Sequence, residues 1–296
     1  MVRVAVLLFR FLIWPALCLT LQAAPSLADN IAILPKPKSE QDVRYRYDRE
    51  LLDLALKASS DFFGRYEIRT AKLVMTTKRT QREILSGMRI NIMRSPTSDH
   101  LERNALPIRI PIMKGLLGYR VLMIRAEDQP KYDTVQTAAD LTQYTLGQGN
   151  GWNDIPILEA NGLKVERAPT YDSLFGMLAQ SRFDFFPRGV NEILPELESR
   201  RARYPNLAAD RALLLHYPFP VYFFVAGSAP DLAARVELGL RRLKEDGRLE
   251  KLLLKHFGQH IEELNLTGRR LIELRNPYLP EKTPLDETGL WYNPFG

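Results

Sequence analysis

Tyr119-Arg120-Val121-Leu122-Met123-Ile124 and, further on, Val221-Tyr222-Phe223-Phe224-Val225 are two nearly continuous apolar runs of strand length. Neither has the helical period, so both read as buried strands. On each side of them short apolar runs alternate with helical patterns, the mark of an α/β sheet in mostly parallel order. Taken as the places where the chain leaves one α/β unit and comes back to it, they cut the sequence into two units of roughly 90 residues each, joined by a chain that crosses twice.

The first unit reads outward from the first run. Residues 31–34 form a short buried strand ended by Pro35, and residues 49–59 repeat apolar side chains with the width of a helix with a broad buried face. A strand over 66–70, a helix over 81–86 and a strand over 90–93 complete it. In the second unit the pattern predicts helices at 137–141, 154–160, 171–178 and 190–200. Strands fall between them at 144–146, 163–165 and 183–186, and Asn161-Gly162 supplies a helix stop. Residues 231–257 are helical, with a break at Asp246-Gly247. Beyond Leu264 the chain turns richer in proline and polar residues and reads as an ordered or semi-ordered tail.

At the other end, Arg3 precedes an apolar core interrupted by Arg10 and Pro15, and the stretch closes in small residues. This is how a secretory signal peptide reads. Ser26-Leu27-Ala28 favours a cut after Ala28, with Ala23-Ala24 as an earlier option. A retained membrane anchor or a lipid on Cys18 are the competing readings, the latter disfavoured by Leu17. Cleavage would remove Arg3 and Arg10 and no acid, taking the formal charge from +6 to +4. It would also remove Cys18, the single cysteine of the 296 residues, so neither a disulfide framework nor a cysteine metal site is available. Bases and acids are interspersed, which argues against a dedicated nucleic-acid surface.

Several short stretches keep a familiar order: Gly87 between residues 84–86 and the next strand, Ser95-Pro96-Thr97 at that strand's end, and Ala139-Asp140-Leu141 before residues 144–147. Ser181-Arg182-Phe183-Asp184 and the helix ending at Asp246-Gly247 follow. In this the chain resembles the periplasmic solute-binding proteins that serve ABC importers of polar amino acids, the extracellular solute-binding proteins of family 3. The resemblance implies an α/β, two-lobe periplasmic-binding-protein (type II) fold joined by two crossing strands. Its parts are a signal peptide over 1–28, lobe 1 over 29–118 and 226–266, lobe 2 with the crossing strands over 119–225, and a tail over 267–296. It further implies an exported, periplasmic, monomeric protein without cofactor or enzymatic activity, which takes a small-molecule ligand and presents it to an ABC permease or a membrane receptor.

In that family an arginine of lobe 1 and backbone N–H groups of lobe 2 hold the ligand's carboxylate, and an acid of lobe 2 holds its ammonium. This sequence departs at both anchors. No arginine follows Thr97-Ser98 until Arg103, and Arg188 stands where the acid belongs. An anionic ligand is therefore favoured over an ordinary α-amino acid. Thr97, Ser98 and Arg103, with Arg94 in reserve, are the lobe 1 candidates, against a plain loop. Gly149, Asn150, Gly151 and Trp152 lie in a glycine-rich strand-to-helix turn that either contacts ligand or only turns. Arg188 either clasps a carboxylate or pairs with Glu192. Tyr45 and Tyr47 either wall the cleft or pack inside. His256 and His260 have helical spacing but no third ligand near, so no metal is expected. An enzyme of the same fold, such as a cyclohexadienyl dehydratase-like protein, would draw its acid or base from Asp154, Glu192 or His100.

Overall fold

The computed structural model describes residues 30–37 and 43–295; the expected leader, Cys18 and the cut sites lie outside them. The chain begins with β1 (Ile31–Lys36), α1 (Val43–Ala58), α2 (Ser60–Phe63), β2 (Glu67–Val74) and α3 (Thr77–Ser86). Then come β3 (Ile92–Pro96), α4 (Asp99–Asn104) and β4 (Leu106–Ile108). After a connecting segment it continues as β5 (Tyr119–Arg125), α5 (Gln129–Tyr132), α6 (Ala138–Leu141), β6 (Thr145–Gly149), α7 (Asp154–Ala160) and β7 (Lys164–Ala168). The second unit ends with α8 (Tyr171–Ala179), β8 (Phe186–Gly189), α9 (Ile193–Arg200), β9 (Leu207–Ala209) and β10 (Leu213–His216). The return is β11 (Val221–Val225), α10 (Pro230–Glu245), α11 (Arg248–Glu263) and β12 (Arg270–Glu273). No described helix is long and apolar enough to cross a membrane.

The two lobes repeat one strand order. In lobe 1, β2 pairs in parallel with β1, and β11 lies antiparallel between β3 and β4. The side chain of Asn91 joins the two sets, donating from Nδ2 to Ile31 O (2.6 Å) and accepting at Oδ1 from Ile33 N (2.7 Å). In lobe 2, β7 and β6 are parallel, β6 meets the start of β8 through the Leu146–Phe185 bridge, and β5 lies antiparallel between β8 and β10. Each sheet thus receives one antiparallel strand from the other side of the junction. That exchange corrects the sequence reading: residues 221–225, grouped there with lobe 2, complete the sheet of lobe 1. The crossings are the segments 109–118 and 217–220, and a Cβ on Gly118 would stand 2.3 Å from Tyr217 O, so the two touch backbone to backbone.

Lobe 1 is held by close helix packing. A Cβ on Gly239 of α10 would come within 1.9 Å of Ala55 O on α1, so only glycine admits this approach. Beside it Arg235, fully buried, serves as a polar plug. It donates to Leu56 O (3.1 Å), Gly64 O (2.7 Å), Arg65 O (3.1 Å) and Phe63 O (3.4 Å), the carbonyls that α1 and the following turn leave open. Gly247, in the left-handed region at φ 79°, makes the break between α10 and α11 that Asp246-Gly247 announces.

The tail is ordered, and it crosses the junction a third and a fourth time. After α11 the chain enters lobe 2 as β12, parallel to β10, then returns toward lobe 1. On the way Arg275 exchanges hydrogen bonds with the Asn161 side chain, and Asn276 donates to Pro218 O (2.9 Å). Further on Lys244 pairs with Glu287 (2.6 Å), Leu290 is fully buried and Tyr292 N donates to Lys114 O (2.6 Å).

Candidate functional site

Because segment 109–118 enters lobe 2 at Tyr119 and segment 217–220 leaves it after His216, this end of the lobe 2 sheet is turned toward lobe 1. Register carries the neighbouring strands along: Gly189 at the end of β8 faces Arg120, and Leu215 near the end of β10 faces it from the other side. In lobe 1 the matching edge is the end of β3, where Pro96 faces Val221.

Lobe 2 presents a buried chain of alternating charges along this edge. Arg120, at the start of β5, pairs with Asp154 at the first turn of α7 (2.6 Å) and donates from Nε to Tyr217 Oη (3.0 Å). Tyr217 in turn donates to Asp154 (2.5 Å). Glu192 lies 3.8 Å from Arg120 and 3.0 Å from Arg188, and accepts from Gly189 N (3.2 Å). Arg188 is forked onto Glu196, with bonds of 2.6 Å from Nε and 2.5 Å from Nη2, and Tyr171 Oη donates to the same carboxylate (2.7 Å). Aromatic rings close the arrangement. The Arg188 guanidinium lies 5.2 Å from the Trp152 ring and 4.8 Å from Phe186, and that of Arg120 lies 5.1 Å from Phe219.

Burial alone would lower the Arg188 pKa, but Glu192 and Glu196 outweigh it and hold the group above its ordinary value. Arg120 behaves alike under Asp154, Tyr217 and Glu192. Burial drives the Tyr217 hydroxyl well above its ordinary value. Both arginines therefore stay cationic and Tyr217 stays a donor.

The pairing with Glu192 weighed for Arg188 is the arrangement found, extended to Glu196. Its fork is engaged inside lobe 2, so Arg188 is a neutralised arginine rather than an open cation. Trp152 is half-buried over Gly149, where a Cβ would fall 2.4 Å from its ring. Gly151 is a turn glycine at φ 79° with open space around it, and Asn150 donates its N–H to Ala168 O (2.9 Å). In lobe 1, Thr97 donates to Glu102 (2.7 Å), which also pairs with Arg109 (2.6 Å). Ser98 caps α4 by accepting from Leu101 N (3.3 Å).

Arg103 is a correction to its candidacy: α4 leads away from the edge, and Arg103 stands at its far end, 71% exposed and 3.7 Å from Asp99. Arg94 pairs with Asp48 at 3.4 Å. Tyr47 packs inside, donating to Ile112 O, and His100 is exposed on α4. His256 bonds to Glu50 (2.8 Å), and among the described residues no group of His, Cys, Asp and Glu is arranged for a metal.

Residue reasoning missed Arg120, Tyr217, Glu196 and Gln148. The first was legible, since a lone arginine inside an apolar strand needs a buried partner. Gln148, one residue before Gly149 and 1% exposed, has no partner for either amide atom.

No family model and no curated protein matches the chain. Solved structures do. An ancestral arginine-binding protein bound to arginine is 14% identical, with a TM-score of 0.53, over 77% of this chain and 98% of its own. The chain has a two-lobe binding-protein fold. An amino acid ABC transporter substrate-binding protein from Streptococcus pneumoniae, bound to L-arginine, is 13% identical with a TM-score of 0.53, over 78% of this chain and 95% of its own. An ancestral amino acid-binding protein described as a precursor of cyclohexadienyl dehydratase is 13% identical with a TM-score of 0.54, over 78% and 96%. The neighbours are thus covered almost completely, while part of this chain lies outside the match.

Proposed function

We propose that the chain is an exported solute-binding protein of the periplasm that captures a small polar ligand, an amino acid or a carboxylate, between its lobes, and hands it to an ABC importer. The observation that carries this reading is the buried run Arg120, Asp154, Glu192 and Arg188 at the lobe 2 edge that faces lobe 1, on a fold whose neighbours include amino acid-binding proteins. A buried charge costs several kcal/mol unless paired, so fixed charges of both signs at one edge are more than packing requires. In this reading the ligand's carboxylate competes with Glu192 for Arg120 and Arg188, and a polar group of the ligand answers the unpartnered Gln148. Closure about 109–118 and 217–220 then brings Thr97 and Ser98 over it.

The test is thermal unfolding of the exported chain against a panel of amino acids, dicarboxylates, aromatic acids and small phosphates. A ligand at a hundredfold excess over its Kd stabilises by about 2.7 kcal/mol. Glu192→Gln, which removes one of the two carboxylates on each arginine and leaves Asp154 on Arg120 and Glu196 on Arg188, should strengthen a carboxylate ligand. If no compound moves the midpoint and Arg188→Gln and Gln148→Leu leave every response unchanged, the cleft does not bind these classes. A sensory role, with a membrane receptor in place of the permease, keeps the same site and is separated by finding which membrane protein co-purifies. A second reading, a periplasmic enzyme, has one observation in its favour: the 2.5 Å contact of Tyr217 with Asp154, a donor and an acid held together at the edge. Turnover of a cyclohexadienyl acid that disappears in Asp154→Asn would support it.

A further inference from the structure

The first crossing carries an uncommon backbone. Lys114 and the residue after it, Gly115, are both left-handed, at φ 47° and 74°. For a lysine this region sets Cβ against a carbonyl oxygen, so it persists only where the surroundings hold it. Within the segment Lys114 N donates to Pro111 O (2.9 Å), and from α11 Glu250 takes the buried ammonium (2.8 Å). The tail supplies the rest. Tyr292 N donates to Lys114 O (2.6 Å), and the Trp291 ring lies so close over Gly115 that a Cβ there would stand 2.5 Å from it. That ring is itself fixed by the bond from its Nε1 to Pro284 O (2.8 Å).

The same tail reaches the rest of the hinge. Tyr292 O accepts from Tyr119 Oη (3.2 Å) at the start of β5, and Asn276 grips the second crossing at Pro218 O (2.9 Å). Its two ends are anchored in different lobes. In lobe 2 the anchor is β12 along β10; in lobe 1 it is Glu287 on Lys244 of α10 (2.6 Å), with the buried Leu290. A hinge turns by changing φ and ψ at a few residues. Here the residue with most to gain from such a change is one that the tail holds.

We propose that residues 287–292 are a clasp on the hinge. Docked, they keep Lys114 and Gly115 left-handed and the lobes at one angle. Released, Lys114 relaxes to an ordinary conformation, the crossing redirects and the lobes sample other angles. The clasp is the bias on a two-state element, and anything that needs a different angle, a ligand closing the cleft included, works against it. It stands on the fold and holds whatever the cleft binds.

The test measures distances between the lobes, with no ligand added, by pulsed electron double resonance on the full chain in a Cys18→Ser background. Spin labels at Lys57→Cys in lobe 1 and Lys164→Cys in lobe 2, both exposed, report the angle; Lys57→Cys with Lys251→Cys reports lobe 1 alone. Ending the chain after Leu290 removes Trp291 and Tyr292, both only half-buried, and keeps Leu290 and the Lys244–Glu287 pair. The parent should give one narrow distribution between the lobes. The shortened chain should give a second population or a distribution about twofold wider, with the distance within lobe 1 unchanged. Trp291→Ala should move the distribution the same way, and Trp291→Phe, which restores a ring over Gly115, should bring it back toward the parent. A retained melting transition shows that each variant is folded, and Trp291→Ala carries the test if shortening abolishes that transition. A distribution between the lobes equal to the parent's in the folded variants overturns the proposal. A change that appears within lobe 1 as well also overturns it, and makes the tail a brace of that lobe alone.

Discussion

Replacing Arg235 with methionine, close in volume and apolar, removes a charge that has no carboxylate partner among the described residues and is held by four backbone carbonyls, the Asn30 amide oxygen (2.5 Å) and the Ser60 hydroxyl (3.3 Å). Leu56 O keeps the Ser60 hydroxyl (2.9 Å) and Phe63 O keeps Asn30 Nδ2 (3.2 Å), but Gly64 O and Arg65 O lose their side-chain donor and Asn30 Oδ1 its charged one, at about 1–3 kcal/mol each. Release of the buried guanidinium returns several kcal/mol of hydration, since an isolated charge is expensive to bury. The difference is a loss of roughly 3–5 kcal/mol, at the upper end of single-substitution effects. At roughly 2–4 °C per kcal/mol for a chain of this size, the midpoint should fall by about 10 °C. Thermal and urea unfolding measure it, with an unchanged urea slope showing that the unfolded state is not what moved. Arg235→Lys keeps the charge but loses the planar fork, so it should fall between. A methionine variant melting within about 2 °C of the parent would mean that the carbonyls find water, and that the plug is only a spectator.

Gly239→Ala should cost at least about 1–3 kcal/mol in urea unfolding, because its Cβ would lie 1.9 Å from Ala55 O and the backbone of α1 cannot rotate aside. Glu50 is held below its ordinary value of 4.5 by the hydrogen bond from Lys255, opposed by burial and aided by His256. Its contribution is therefore complete above 4.5 and fades as pH falls through the lowered folded value, so Glu50→Gln should flatten the acid limb of the stability–pH curve only there. Ending the chain after Leu274 removes the buried Leu290 and the Lys114 and Lys244 contacts. Amide exchange across 109–118 should then quicken, and the midpoint should drop by an amount equivalent to roughly 2–5 kcal/mol.

Elements whose signal is local were legible. Residues 154–160 form a helix with Asn161-Gly162 closing it, and Thr170 caps α8 where the apolar period begins. The break at Asp246-Gly247 falls between two helices as read. What escaped depends on distant chain. β10 and β12 are four residues each, and a strand of that length is defined by its neighbour more than by its own pattern; here the neighbours are 57 residues apart. β4, three residues, is visible only beside β11. In the candidate site, Glu192 lies four residues after Arg188 and could be weighed from sequence. Glu196 completes the fork because α9 starts at Ile193 and presents it back toward β8. Arg120 needed the tertiary fold to bring Asp154 and Tyr217 to it from opposite sides of the lobe.

The exchange of strands sets an order of assembly. The sheet of lobe 1 lacks its central strand until residues 221–225 exist, and that of lobe 2 lacks its outer strand until residues 270–273 do. A ribosome or a translocation pore delivering this chain from its N-terminus would release about three quarters of it before the first sheet could be completed, and about nine tenths before the second. Contacts of such long range form late and slowly. The same topology that joins the lobes four times keeps the nascent chain open, and an open chain is the form that a narrow pore can pass.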